Sequence, residues 1–334
     1  MKIDLFCHIL PPAYFERMTA ISARGAYMQK RVREIPAMVD LDVRFRMMDQ
    51  FGDYVQVLSL AAPPIEALAP PAESAALARL ANDAMAETVA KHPDRFPGFI
   101  ASVPMNDVDG AVKEIDRALA DLHAVGIQIF TNVNGRPLDD PEFAPIFERM
   151  ARADRPIWLH PTRTATFADY ATEEKSRFEL WWAFGWPYET SIAMARIAFA
   201  GYYDRFPALK VITHHMGGMI PYFAGRIGPG LDQLGVRTDD EDLSVHLKRL
   251  KRRPFDYFKM FLADTALFGA RDAMECGLAF FGADQVVFAS DFPFDPEKGT
   301  FNIRETIRDI DGLEIPEADR RKIYEGNARR LLRM

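Results

Sequence analysis

The sequence predicts a single (β/α)8 barrel, also called a TIM barrel, and three observations lead to this fold class. Eight short apolar runs rich in Val, Ile and Phe recur along the 334 residues, and amphipathic stretches with helical spacing lie between them. Strands that alternate with helices pair in parallel, because a parallel neighbour requires a crossover of a dozen or more residues. No Gly-rich phosphate loop follows the first run, so a closed barrel is favoured over an open doubly wound sheet.

Each apolar run predicts one strand, and the strands are taken in chain order: residues 2–9, 54–61, 97–104, 126–133, 156–162, 210–216, 259–265 and 285–291. The helical patterns between and after them include residues 73–91, 110–122, 142–152, 189–200, 242–251 and 317–332. Two connections, residues 10–50 after the first strand and 163–188 after the fifth, are longer than a crossover requires. Long loops after barrel strands lie at the C-terminal face, where barrel enzymes place their sites. Since no repeat or break in composition divides the chain, residues 1–334 are predicted to form one domain.

Composition limits the partners that the chain is expected to have. The 41 basic and 48 acidic side chains give a net charge of −7, which does not favour a nucleic-acid or anionic-membrane binder. No stretch of 18 uncharged apolar residues is present. The two cysteines cannot form a disulfide framework, and their scarcity suits a reducing compartment. A soluble cytoplasmic protein that binds a small molecule is therefore expected.

Polar residues at strand ends predict a metal site. His8, His160, His215 and Asp291 fall at the ends of the first, fifth, sixth and eighth predicted strands. The carboxyl ends of barrel strands meet at one mouth, so these side chains are expected to converge. Imidazoles with one carboxylate and open positions are suited to a single divalent ion such as Zn²⁺, Mn²⁺ or Fe²⁺.

Several segments in a fixed order carry a resemblance to a known family. They are IDLFCHILP at 3–11, HPDRFPGFIASVP at 92–104, GIQIFTNVNGRPLDDPEF at 126–143, PIWLHPT at 156–162, FGWPYETS at 184–191, KVITHHMGGMIPYFAGRI at 210–227, FASDFPF at 288–294 and GNARRLL at 326–332. From the first segment to the last, the resemblance extends over nearly the whole chain. The sequence resembles the amidohydrolase superfamily, in the branch that holds aminocarboxymuconate-semialdehyde decarboxylase and the dihydroxybenzoate and γ-resorcylate decarboxylases.

The resemblance implies a role for each matching residue. His8 matches the second histidine of the family's strand-one metal motif, and His160 and Asp291 match the strand-five and strand-eight ligands. His215, the histidine of the HxGG motif, matches the family's catalytic histidine that is not bound to the metal. Either Asp291 or His215 is expected to be the catalytic acid that protonates the ring carbon. Arg226 matches an arginine that some members lend to a neighbouring subunit to bind a substrate carboxylate, which implies a homodimer or a dimer-based tetramer.

One position departs from the family pattern. The family's first motif is His-x-His or Glu-x-His, and here Phe6 occupies its first position and cannot bind a metal. Cys7 is not expected to replace it, because strand alternation points Cys7 away from the lumen unless a bulge intervenes. The fourth strand ends Phe-Thr-Asn and offers no lysine for a second, bridged metal. One Zn or Mn ion held by three protein ligands is the resulting expectation.

Other residues near the predicted mouth have weaker assignments. Trp186, with Phe130 and Phe292, is expected to enclose a planar substrate ring. His214 is expected to pack behind the sixth strand, because alternation lets only one of the two adjacent histidines face the lumen. Asp264 at the end of the seventh strand is interpreted either as a cap or as a hydrogen-bonding group at the mouth.

These observations predict a non-oxidative decarboxylase of a small aromatic or unsaturated carboxylic acid that uses one divalent metal. A metal-dependent hydrolase or hydratase of a lactone, ester or alkene on the same barrel is the first alternative. The second alternative is a metal-free, degenerate barrel that binds a ligand without turnover, and Phe6 is the feature that supports it.

Overall fold

The computed structural model describes residues 1–21 and 29–334, and its main sheet confirms the predicted barrel. Eight parallel strands are hydrogen-bonded in chain order: β1 Lys2–Ile9, β2 Tyr54–Leu60, β3 Gly98–Ser102, β4 Gly126–Phe130, β5 Ile157–His160, β6 Val211–Thr213, β7 Leu262–Asp264 and β8 Val286–Val287. The barrel closes between its first strand and the chain around β8, where the Leu5 amide donates to the Phe288 carbonyl at 3.0 Å. An antiparallel pair of two-residue strands, Asn132–Val133 and Arg136–Pro137, follows β4 outside the barrel.

Helices follow every strand and form the outer layer. They are α1 Pro12–Ile21, α2 Gln29–Arg33, α3 Leu41–Met48, α4 Ile65–Leu68, α5 Pro71–Lys91, α6 Val108–Ala120, α7 Ala144–Ala153, α8 Leu180–Ala183, α9 Gly185–Phe199, α10 Tyr202–Arg205, α11 Ala224–Asp232, α12 Ser244–Arg249, α13 Pro254–Phe258, α14 Arg271–Phe281, α15 Phe301–Gly312, α16 Glu317–Arg321 and α17 Asn327–Leu332. Short 3₁₀ turns lie at Pro36–Met38, Asp49–Phe51, Pro141–Phe143 and His215–Gly217, and a π turn at Lys322–Gly326 joins the last two helices. Among the described residues, no helix combines the length and apolar character needed to cross a bilayer.

The two predicted long loops contain helices that the sequence analysis did not assign. The described part of residues 10–50 folds into α1, α2 and α3, whereas residues 22–28 lie outside the described residues. Residues 163–188 contain α8 and the start of α9. Their helical patterns are short and interrupted by proline or aromatic residues, which weakens the periodic signal that predicts a helix.

Seven of the eight strands end earlier than predicted, and at β6 and β8 this changes the mouth of the barrel. β6 ends at Thr213 rather than at residue 216, and β8 ends at Val287 rather than at residue 291. His215 and Asp291 then adopt left-handed backbone angles, with φ of 53° and 61°. The alternation of side chains along a strand therefore no longer applies where the functional residues lie.

The barrel lumen is filled by side chains below the mouth. Trp158 is fully buried there, and its Nε1 donates to the Leu5 carbonyl at 3.0 Å. A Cβ at Gly126 would lie 2.6 Å from the Trp158 ring, so the absence of a side chain at residue 126 makes room for the indole. Apolar residues from all eight strands or their ends, together with the C-terminal α17, form this cluster: Ile3, Leu5, Phe6, Val57, Ile100, Val125, Trp158, Ile212, Leu262, Val287, Ala289, Ala328, Leu331 and Leu332.

A bulge in β1 decides which side chains face the lumen. The pairing of β1 with β2 shifts register between Asp4 and Cys7, so Leu5 and Phe6 both join the lumen cluster. Cys7 belongs instead to the outer core between strands and helices, where its Sγ lies 3.9 Å from Tyr54 Oη. The prediction that Cys7 points away from the lumen is confirmed, although a bulge is present.

Candidate active site

Three histidines and one aspartate converge at the mouth of the barrel. His8 from β1, His160 from β5, His214 after β6 and Asp291 after β8 each present one ligand atom, and these atoms all lie within 4.8 Å of one another. All four residues are buried. The structure thus brings together the three predicted ligands and adds His214 to them.

The second ring nitrogen of each histidine already has a partner. Nδ1 of His8 lies 3.2 Å from Ser59 Oγ, and Nδ1 of His160 lies 2.7 Å from the Pro161 carbonyl oxygen. Nδ1 of His214 contacts the Asp264 carboxylate. At His160 and His214 a carbonyl or carboxylate accepts the proton at Nδ1, and the Ser59 hydroxyl can accept it at His8, so the lone pair of a neutral ring is left on Nε2.

Electrostatics prepare this group for a cation. Burial, followed by the nearby His214 and His8 rings, holds the pKa of His160 well below its ordinary value, so this imidazole is neutral. Burial by itself would raise the pKa of Asp291, but contacts with the surrounding histidines hold it well below its ordinary value. A neutral imidazole and an ionised carboxylate are the forms that bind a metal.

His214 differs from His160, because its pKa is raised rather than lowered. Burial alone would lower the pKa of His214, but the Asp264 carboxylate and then Asp291 outweigh it and raise the pKa to about 9. Its Nε2 lies 3.3 Å from Asp291 Oδ1 and, although buried, has no hydrogen-bond partner among the described residues. A buried nitrogen that lies near a carboxylate without a hydrogen bond between them is the arrangement expected where a cation binds between the two.

The prediction for His214 was therefore wrong, and the backbone shows why. His214 and His215 follow the last residue of β6, and the left-handed φ of His215 places both rings on the same side, with centroids 3.7 Å apart. His215 reaches the site as predicted, with its Nε2 3.8 Å from Asp291 Oδ2. Burial and the adjacent His214 lower the pKa of His215.

Asp264 is the residue that holds this pair of histidines. It is fully buried at the end of β7, and one of its oxygens accepts from the backbone amides of His215 and Ala266 at 2.9 and 3.1 Å. The other oxygen contacts His214 Nδ1. Asp264 thus acts both as a turn acceptor and as an orienting group at the mouth.

A buried arginine, Arg44, lies behind β1 in a role that was not predicted. Arg44 of α3 donates to the His8 carbonyl, to Gln56 Oε1 at 3.0 Å and to the Ala37 carbonyl at 3.2 Å. It thereby fixes the backbone that presents His8. No sequence signal identifies this role, since Arg44 and His8 are 36 residues apart.

Aromatic rings surround the four donors. The ring centroids of Trp186 and Phe130 lie 5.4 and 5.0 Å from that of His160. The Phe6 ring stacks on the His214 ring, with centroids 4.1 Å apart. The prediction for Phe292 was wrong, because the left-handed turn at Asp291 sends its ring into the outer core, where Arg44 lies over it. Phe294, with its ring 5.3 Å from that of His8, lines the mouth instead.

A cavity of about 420 Å³ opens beside the donors. Trp186 and Ala62 belong both to its wall and to the small pocket that contains His160 and Asp291, so the two spaces are adjacent. The remaining wall comes from the segments after β2, β4 and β5: Pro63, Pro64, Ala67, Asn132, Asn134, Gly135, Pro161, Thr162, Arg163, Thr164, Thr166, Phe167 and Trp181. A volume of this size is typical of a small-molecule site.

Arg226 does not contribute to the site within one chain. It lies in α11, is exposed, and is absent from the walls of both spaces in the described part of the chain. Its predicted role requires a second subunit and stays a prediction.

The fold and the donor set together define a class: a (β/α)8-barrel protein with a buried three-histidine, one-aspartate group at the C-terminal mouth, of the kind that holds one divalent ion. The sequence matches the amidohydrolase family over residues 3–334, and the chain belongs to that family.

Relatives of known activity and structure are similar over nearly the whole chain. The γ-resorcylate decarboxylase of Polaromonas sp. (strain JS666) is 34% identical over 303 residues, which covers 88% of this chain and 87% of the relative. The 2-amino-3-carboxymuconate-6-semialdehyde decarboxylase of Dictyostelium discoideum is 29% identical and covers 98% of this chain and 90% of its own length. A crystal structure of dihydroxybenzoic acid decarboxylase from Polaromonas sp. JS666, with bound manganese and the inhibitor 2-nitroresorcinol, superposes with a TM-score of 0.80 at 29% identity, over 99% of this chain and 96% of that one.

Proposed function

We propose that this protein is a non-oxidative decarboxylase of small hydroxylated aromatic or unsaturated carboxylic acids. The observation that carries the proposal is the buried group of His8, His160, His214 and Asp291 beside an aromatic-walled cavity. The relatives named above are decarboxylases, in agreement with the reaction predicted from the sequence.

Four residues would hold one divalent ion, and the donor chemistry fits it. His8, His160 and His214 offer Nε2 atoms whose rings are oriented through Nδ1, and Asp291 offers an ionised oxygen. When bound, the ion supplies a Lewis acid that attracts the substrate carboxylate and the charge that develops as CO₂ leaves. The manganese in the Polaromonas structure supports Mn²⁺ as one candidate, beside Zn²⁺.

The chain's own residues supply the proton that replaces the carboxyl group. In the reaction the C–CO₂ bond breaks, its electron pair stays on the ring carbon, and that carbon takes one proton. The His215–Asp291 pair, with Nε2 and Oδ2 separated by 3.8 Å, lies where it can hold and deliver this proton. The lowered pKa of His215 makes its protonated form a stronger acid, so a proton that the ring takes up is transferred readily to the ring carbon.

The aromatic walls position the substrate and exclude water. The rings of Trp186 and Phe130 lie beside His160 and that of Phe294 lies beside His8, so a planar ring can pack against apolar faces. A dry site strengthens the electrostatic interactions of the carboxylate with the donors.

A panel of hydroxybenzoates separates this proposal from its alternatives. Release of CO₂ with formation of the corresponding phenol is the expected result. Hydrolysis of lactones or esters without CO₂ would instead support the hydrolase, and ligand-induced stabilisation without any product would support the degenerate barrel. The convergence of four donors speaks against the last of these, since each histidine is individually oriented.

Metal binding is expected to release a proton. Because the pKa of His214 in the metal-free protein is about 9, this ring is protonated at neutral pH and must lose that proton to bind an ion. The affinity is therefore expected to rise about tenfold for each pH unit between about pH 7 and 9, with about one ion bound per chain. Elemental mass spectrometry after dialysis against a weak chelator measures the stoichiometry, and calorimetry in two buffers measures the released proton.

The His246→Ala variant of α12 is the control for this titration and should behave as the unmodified chain does. A His214→Ala chain should bind the ion more weakly and release less proton. Equal proton release by the His214→Ala chain would contradict the assignment of His214 as a ligand.

We further propose that the protein acts as a homodimer in the cytoplasm and that Arg226 completes the partner's site. Large aromatic side chains are exposed on the segments after β5 and β6: Phe178 and Tyr222 at 80% and Phe184 at 72%. Apolar surface of this kind marks interaction sites, and Tyr222 lies in the turn before α11, four residues before Arg226.

A mixing experiment tests the dimer. Sedimentation should give a dimer, and a mixture of inactive Arg226→Ala and inactive Asp291→Asn chains should recover activity, since one hybrid site contains neither substitution. No recovery after exchange of subunits would show that Arg226 does not act across an interface.

A further inference from the structure

Arg163 places a single cation in the cavity beside the donors. It lies three residues after His160 and lines the 420 Å³ cavity, where it is the sole charged residue among the described wall residues. Its neighbours in the wall are neutral amides, hydroxyls and apolar groups. The position lies beyond Trp186, whose ring contacts His160 and whose Nε1 donates to the Arg163 carbonyl at 3.2 Å.

The guanidinium is held in a defined place. Its Nη1 donates to Glu189 Oε1 at 2.8 Å, and the side chains of the pair are only 21% and 14% exposed. The rings of Phe167 and Tyr188 lie 4.8 and 5.8 Å from its central carbon. Gly185, the first residue of α9, leaves space for the side chain, since a Cβ there would lie 2.5 Å from Arg163 Cδ.

The fixed guanidinium still has donors to offer. Among the described residues, Glu189 accepts one of the five N–H groups, and no other hydrogen bond is made by the side chain. The planar fork of an arginine suits two parallel hydrogen bonds to a carboxylate. Glu189 offsets the charge, which disfavours anions that cannot form these directed hydrogen bonds.

We infer that Arg163 is a specificity-determining residue that binds a second acidic group of the substrate, at the end of the ring remote from the carboxylate that is lost. This inference rests on the proposed function, because the donors define which end reacts. The preferred substrates are then aromatic acids with a second carboxylate, and Glu189 is the positioning residue that aims the guanidinium.

Two acids that differ by one carboxylate test the inference. 2-Hydroxyterephthalate carries a second carboxylate opposite the first, and 2-hydroxybenzoate lacks it. Arg163→Gln is expected to lower kcat/KM for the diacid about 10- to 100-fold, which is the effect of a lost hydrogen bond to a charged group, while the monoacid changes less than about threefold. Glu189→Gln, which removes the competing carboxylate, is expected to raise the preference for the diacid.

Arg196→Gln provides a matched control. Arg196 lies in α9, the helix that also carries Glu189, and it pairs with Asp139 outside the cavity. This variant should leave both substrates unaffected. Melting temperatures of all three variants verify that each is folded.

Calorimetric affinities for the two acids separate this inference from the proposed function. If neither acid is turned over, a stronger binding of the diacid that is lost in Arg163→Gln still supports the role of Arg163, and the reaction assignment alone fails. Equal losses for both acids in Arg163→Gln, or equal affinities of the two acids for the unmodified chain, would overturn the inference.

Discussion

An Asp291→Asn variant is expected to lose decarboxylase activity by about 10³-fold or more while it keeps its fold. Asp291 is the ionised oxygen donor of the group, with its Oδ1 3.0 Å from His8 Nε2, and it shares the proton-delivering pair with His215. The amide keeps the size of the carboxyl group but carries no charge and does not hold a transferable proton.

Asparagine is chosen because it is expected to preserve the backbone conformation of residue 291. Asp291 has a φ of 61°, and asparagine adopts this left-handed conformation more readily than most residues do. The melting temperature should therefore stay close to that of the unmodified protein, and metal content should fall. Asp284→Asn, at an exposed residue just before β8, is the matched control. Retained turnover in Asp291→Asn would refute the whole site assignment, since no other residue in the described mouth can take both roles of this carboxylate.

The parts of the site that were predictable are those that depend on strand ends alone. Apolar runs identified all eight strands, and His8, His160 and Asp291 each end or follow one of them. In a parallel barrel these ends share one face, so their convergence follows from topology without knowledge of any contact. The amidohydrolase family and the decarboxylase reaction were predicted from motifs in the same segments, and the comparisons bear them out.

The parts that were not predictable depend on the backbone just beyond the strands. Alternation assigned one histidine to each side of β6, but the strand ends before both, and a left-handed residue turns both rings to the lumen. The same kind of turn after β8 directs the Phe292 ring into the outer core, so Phe294 lines the mouth instead. Contacts between distant segments, such as that of Arg44 with the His8 carbonyl, leave no periodic trace in a single sequence.

Phe6 and His214 are best understood together. Phe6 occupies the position of a ligand in the family's first motif, and its ring is buried in the lumen and stacks on the His214 ring at 4.1 Å. His214 brings the number of donors back to four. The donor missing from β1 is thus matched by one after β6, and the phenyl ring packs against the imidazole that takes its place.

A Phe6→His variant is expected to bind the metal about 100-fold more tightly, because a fifth donor enters a site whose other ligands are already oriented. The ring of residue 6 lies 5.2 and 5.7 Å from those of His8 and His160, so an imidazole there reaches the same space. Competition with a chelator of known affinity measures the change for Zn²⁺ and Mn²⁺. Phe6→Leu removes the ring without adding a donor and should leave the affinity within about threefold.

The double variant Phe6→His/His214→Ala tests whether a donor at residue 6 can replace the one at residue 214. His214→Ala alone is expected to weaken binding about 100-fold, since it removes one of four donors. Phe6→His in that background should restore the affinity to near that of the unmodified chain, because the donor is then supplied from β1. If Phe6→His is folded but changes the affinity in neither background, residue 6 does not reach the ion. The metal would then lie away from the stacked pair, toward His8 and Asp291.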